Sequence, residues 1–154
     1  MTPDKIRLVK ASFDQVFPMV GTLTETFYEQ LFERKPELKS VFPKDLMTQK
    51  QKFSDMLSFL VSNLDRPEVI EQTITSLARR HAGYGATVDD FSHVGGALLH
   101  ALKTHAPEGM EQSVAAAWLE TYEFVSDLMI DEMTQTATSA AQTSYEPKAH
   151  GSIA

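Results

Sequence analysis

An all-α fold is predicted by three features of the sequence. Apolar residues recur at three- and four-residue spacing almost throughout, the period of an amphipathic helix. Period-two alternation, which marks a half-buried strand, is not sustained anywhere. Glycine is scarce before residue 83, with Gly21 standing alone.

Each element follows from its own residues. Thr2-Pro3-Asp4 is a start signal, a capping hydroxyl followed by proline in the first turn, and Ile6, Val9, Phe13, Val16 and Phe17 form one apolar stripe. The first helix is expected to end near Pro18. A second runs from Thr22 through Leu23, Phe27, Tyr28, Leu31 and Phe32 until Lys35-Pro36, where proline removes a donor and restricts the residue before it. A short helical turn reaches Phe42, and residues 43–47 read as a corner. Phe53, Met56, Leu57, Leu60 and Val61 carry a long amphipathic helix to about Asn63. Pro67 opens the next, through Val69, Ile70, Ile74 and Leu77 to His81, with Gly83 and Gly85 supplying the permissive dihedrals that stop it. Asp89 and Asp90 fall in the first turn of the following helix, where negative charge suits the dipole. Phe91, Val94, Leu98, Leu99 and Leu102 are its stripe, and Ala106-Pro107-Glu108-Gly109 breaks it. The last helix uses Val114, Trp118, Tyr122, Val125, Leu128, Met129 and Met133. After Thr134 the pattern dies, and residues 136–154, rich in Ser, Thr and Ala, are expected to form a flexible tail.

Composition narrows the function. With 154 residues the chain is one domain's worth, and with no cysteine it has no disulfides, thiolate metal sites or thiol nucleophiles. The N-terminal residues have no apolar run of signal-peptide type, and no stretch approaches the roughly 20 apolar residues that span a bilayer. A cytoplasmic protein without membrane contact is expected. A formal charge of -7 opposes binding to phosphate backbones, so no nucleic-acid partner is expected. There is no Gly-rich phosphate loop, no histidine pair at metal-ligand spacing and no local Ser-His-Asp arrangement.

What remains is an ordered set of unlike residues. Phe27-Tyr28 lie inside the second helix, Pro36 and Phe42 follow at the corner, Gln49 stands four residues before Phe53, and His81 ends a later helix within LARRHAGYG. From about residue 3 to residue 134 the chain resembles the globins, most closely bacterial single-domain haemoglobins and the globin domain of flavohaemoglobins. FYEQLFERKPELKSVF is similar to their second helix and corner, LARRHAGYG to the segment bearing the haem-ligating histidine, and DFSHVGGALLHAL with AAAWLETYEFV to their last two helices.

The resemblance implies a globin fold of seven to eight helices around a haem pocket over residues 1–135, with one haem b. By position His81 matches the proximal iron ligand, Phe42 the phenylalanine that packs on haem, Gln49 the distal polar residue and Phe53 the apolar residue one turn later. Tyr28 falls on the subfamily's distal tyrosine. Leu77 would lie under the porphyrin, Arg79 or Arg80 would reach a propionate, and Phe91 and Val94 would line the pocket. Neutral imidazole is a good fifth ligand for haem iron, leaving an open position for a diatomic gas. The helix end just past His81 is expected to leave nearby carbonyls free to accept its other ring N–H.

Tyr28 and Gln49 are expected to hydrogen-bond dioxygen, giving tight, reversible binding for transport or scavenging. Nitric oxide dioxygenation, supplied with electrons by a separate reductase, is a second task the resemblance allows. A haem-based gas or redox sensor acting through a protein partner is the alternative, and a haem-free helical interaction protein a third. His93 and His100 are read as surface or boundary residues beside the Phe91 stripe, and His105 and His150 as loop and tail. The sequence also departs from its relatives, with Phe91 and Met133 where they typically carry tyrosine and glutamate. Those two groups tie the proximal histidine into a hydrogen-bonded network, so His81 should here lean on backbone carbonyls alone.

Overall fold

The computed structural model describes residues 1–144, with side chains described to residue 135. Among them are six α-helices and two 3-10 turns and no β-strand. No helix among the described residues is long and apolar enough to cross a membrane.

Helix α1 spans Pro3–Val16, and the Thr2 hydroxyl accepts the Lys5 N–H at its start. Pro18 turns the chain through a 3-10 segment, Phe17–Met19, and α2 follows over Val20–Arg34, starting two residues before the expected Thr22. It stops at Lys35, whose φ of -144° is the extended backbone that a following proline favours. The 3-10 turn Pro36–Val41 then delivers Phe42, and α3 covers Met47–Ser62.

Helix α4, Pro67–Gly83, runs two residues past His81, so Gly83 belongs to the helix instead of ending it. Of the two glycines, Gly85 alone takes a left-handed φ, +78°, and it makes the corner. Thr87 and Asp90 form a reciprocal capping box at the start of α5, Val88–His105, satisfying two end donors at once. Helix α6, Gln112–Ser144, continues beyond Thr134, where the apolar pattern dies. The helical backbone therefore reaches into the expected tail, whose residues 145–154 lie outside the described residues.

Packing sorts the helices into two sets. α2 crosses α5 and packs on α3, while α4 and α1 lie on α6. Consecutive helices α3 and α4 are not among the closely packed pairs. The core between the layers is filled by Val9, Val16, Leu23, Leu31, Ile70, Ile74 and Leu102, all essentially without solvent contact. Gly95 of α5 receives the ring of Tyr122 from α6, and a Cβ there would stand 2.6 Å from that ring.

Candidate functional site

The candidate residues fall into two groups, one on α2, α3 and the turn between them, the other on α4 and α5. The first is aromatic. Tyr28, buried on α2, meets Phe27 edge-on with centroids 4.9 Å apart, Phe42 at 5.7 Å and Phe53 of α3 at 6.0 Å. Phe27 and Phe53 approach to 4.2 Å, and Phe32 stands 5.7 Å from Phe42. Such edge-to-face pairs each add about 0.5–1.5 kcal/mol beyond the area they bury, so this wall is rigid. The half-buried Gln49 side chain stands beside the Tyr28 hydroxyl. Burial raises the phenol above its ordinary 10.0, against the opposing effect of Gln49. Tyr28 thus stays a protonated donor.

The second group surrounds His81, half-buried near the end of α4. Its Nδ1 lies 2.9 Å from the carbonyl oxygen of Leu77, so that Nδ1 donates, and in the neutral ring Nε2 is the nitrogen with the lone pair. The acceptor is a backbone carbonyl, as expected, but one a turn behind His81 within the helix and not one freed by the helix end. Helical side chains lean toward the helix N-terminus, and that carries the ring back onto the preceding turn. Phe91 of α5 stacks on the imidazole at 6.3 Å with 23° between planes. Leu77 and Val94 are half-buried against the core. Arg79 and Arg80 are exposed and have no ion-pair partner among the described residues.

The donor set decides what could sit between the groups. No cluster of three or more His, Cys, Asp or Glu that could hold a bare metal ion occurs among the described residues. A metal carried in a macrocycle can be held by a single protein ligand, and Nε2 of His81, with Nδ1 turned to the Leu77 carbonyl, could serve as one. Helix α3, bearing Gln49 and Phe53, and helix α4, bearing His81, are not among the closely packed pairs. A groove of about 600 Å³ opens elsewhere, between the first turns of α2 and α3, and none of Tyr28, Gln49 or His81 lines it.

Several contacts have no signal in local sequence. The Tyr122 hydroxyl donates to the Phe91 carbonyl at 2.5 Å, and burial pushes that phenol well up. His105 is the last residue of α5 and not a loop residue, and its Nε2 shares a 2.7 Å hydrogen bond with Thr26 of α2. His93 is a boundary residue as read, with Nε2 3.4 Å from Asp89 and Nδ1 buried without a partner among the described residues. His100 is exposed. His150 lies outside the described residues.

Comparison with known proteins places these features in context. A model of the globin family matches residues 25–129. The chain is 29% identical over 133 residues to the flavohemoprotein of Xylella fastidiosa, covering 84% of this chain and 33% of that protein. The flavohemoprotein of Deinococcus radiodurans gives the same identity and coverage, so the chain spans about a third of the length of the curated relatives it matches. Among solved structures, an engineered carbene transferase from Rhodothermus marinus superposes with a TM-score of 0.81 at 25% identity, over 92% of this chain and 99% of that one. A bacterial globin from Campylobacter jejuni has the same fold, with a TM-score of 0.76 at 21% identity over 89% of this chain and 99% of that one.

Proposed function

This chain belongs to the globin family, and on that premise we propose that it holds haem b through Nε2 of His81 and binds dioxygen reversibly beside Tyr28 and Gln49. Membership of the family implies a haem cofactor and binding of diatomic gases. The observation that carries the assignment to His81 is its hydrogen bond to the Leu77 carbonyl, which occupies Nδ1 and leaves Nε2 as the ring nitrogen for a metal.

Haem iron, when bound, supplies the open coordination position at which a small gas binds. The protein's residues do the rest. His81 orients the ring plane, with Phe91 stacked against it. Phe42 and Phe53 exclude water by filling the space around Tyr28. Tyr28, kept protonated by burial, and Gln49 beside it donate hydrogen bonds to the polar end of a gas ligand. Hydrogen bonds to charged groups contribute about 1.5–3 kcal/mol, or roughly ten- to hundredfold in affinity. Arg80, on the exposed side of α4, is suited to a propionate, a solvent-screened contact of about 0–1 kcal/mol.

Oxidation of nitric oxide to nitrate is a further activity that the kinship with flavohemoproteins supports. It needs an electron per cycle from a reductase outside the globin domain. Absorption spectra of ferric, ferrous and oxygen-exposed protein test the central reading. A Soret band whose ferrous form shifts reversibly with oxygen is expected, and protein supplied with haem that shows no Soret band overturns it.

A further inference from the structure

One cation joins the end of α2 to the start of α5. Lys35, at which α2 stops, donates to the carboxylate of Asp90 and, at 3.2 Å, to that of Asp89. The Lys35 and Asp90 side chains are 22% and 13% exposed, so the pair is less screened than an ordinary surface contact. Burial works to raise the Asp90 carboxyl, yet the Lys35 ammonium and the Thr87 contacts hold it below its ordinary value.

Both partners are built into structures that lead to the candidate site. Asp90 accepts the Thr87 N–H at 2.9 Å, and its own N–H goes to the Thr87 hydroxyl. The residue before Thr87, Ala86, donates its N–H to the His81 carbonyl at 3.1 Å, as does Tyr84. The corner that Asp90 anchors therefore hangs from the backbone of His81. On the other side, the Lys35 N–H closes α2 on Leu31, and its carbonyl accepts the Leu38 N–H of the 3-10 turn that leads to Phe42. Lys35 stands where the aromatic wall of Tyr28 and Phe42 meets the corner behind His81.

We infer that Lys35 is a positioning residue which, through Asp90, ties the α4–α5 corner to the end of α2 and holds the two walls of the haem slot at a fixed separation. The inference rests on the haem reading above. Lys35 touches neither haem nor gas, so its signature is retention of the cofactor. The pair Lys5–Glu120, at 2.7 Å and with both side chains more than a third exposed, joins α1 to α6 and provides a control of equal charge.

Wild type, Lys35→Met, Lys35→Arg and Lys5→Met are each loaded with haem and mixed with an excess of a haem-scavenging apoprotein. Loss of haem is followed by the Soret band, and the thermal midpoint of each apoprotein is measured alongside. Lys35→Met should lose haem roughly two- to fivefold faster, the size of effect of a partly exposed ion pair. Lys35→Arg should restore the wild-type rate, Lys5→Met should leave it unchanged, and the apoprotein midpoints of Lys35→Met and Lys5→Met should agree. A Lys35→Met rate equal to wild type overturns the inference, as does an apoprotein midpoint that falls in step with haem retention. Wild type that takes up no haem overturns the haem reading instead, and this inference with it.

Discussion

The Phe91 ring lies almost parallel to the His81 imidazole, with centroids 6.3 Å apart and 23° between planes. Phenylalanine there can stack but cannot accept the imidazole N–H, and the acceptor of Nδ1 is the Leu77 carbonyl. Met133, half-buried against the core, brings no carboxylate. A backbone carbonyl makes imidazole less electron-donating than a carboxylate does. The iron–histidine stretch of the ferrous, unliganded protein should therefore fall below that of flavohemoproteins by resonance Raman. Phe91→Tyr with Met133→Glu should raise it, and neither alone should do so. A stretch already as high as in flavohemoproteins would contradict this account.

Replacing His81 by alanine removes the one ring nitrogen assigned to the metal. Haem retention should largely vanish while the helical fold persists in part, as judged by far-ultraviolet circular dichroism. Ligand binding contributes about 4 kcal/mol at a thousandfold excess over Kd, so the thermal midpoint should drop to that of the wild-type apoprotein. Full haem loading in this variant, with loss in His93→Ala instead, would move the assignment to α5.

Tyr28→Phe keeps the ring contacts with Phe27, Phe42 and Phe53 but deletes the donor. Oxygen dissociation measured by stopped flow should accelerate at least several-fold, within the hundredfold limit of a charged hydrogen bond. Carbon monoxide, less polar when bound, should respond less. Because burial holds the phenol above 10.0, the wild-type rate should stay flat across the neutral pH range. Equal effects on both gases would point to an altered route of entry.

Gly95→Ala places a methyl 2.6 Å from the Tyr122 ring, which is tethered through its hydroxyl to the Phe91 carbonyl. Overpacking of this kind costs about 1–3 kcal/mol, against a gain of roughly 1 kcal/mol in helix propensity. Urea denaturation should show a net loss of stability. Adding Tyr122→Leu should make Gly95→Ala nearly neutral or stabilising, since the obstacle is the ring. Strictly additive effects would refute the contact.

Helix positions were legible because their causes are local. Pro18, Pro36, Pro67 and Pro107 interrupt or open helices wherever they fall, and apolar spacing selects the buried face within one turn. The candidate site residues Tyr28, Phe42, Gln49, Phe53 and His81 were named by the resemblance to globins and not by period, and Phe42 lies just past a 3-10 turn, outside any helix. The boundaries at Gly83 and beyond Thr134 were not legible. A glycine tolerates helix as well as turn, and a helix can propagate past its apolar stripe.

Tertiary structure decided which atoms meet. Tyr122 and Phe91 are 31 residues apart in sequence, and Lys35 and Asp90 are 55 apart. Nothing local distinguishes Tyr122 from its neighbours on the same stripe, or Lys35 from any lysine before a proline. Their roles exist only because α5 lies between α2 and α6, close enough at Gly95 for a ring to lie against its backbone. The choice of Leu77 as acceptor for His81 is the intermediate case. Its four-residue spacing was in the sequence, but the rotamer that uses it was set by the backward lean of a helical side chain.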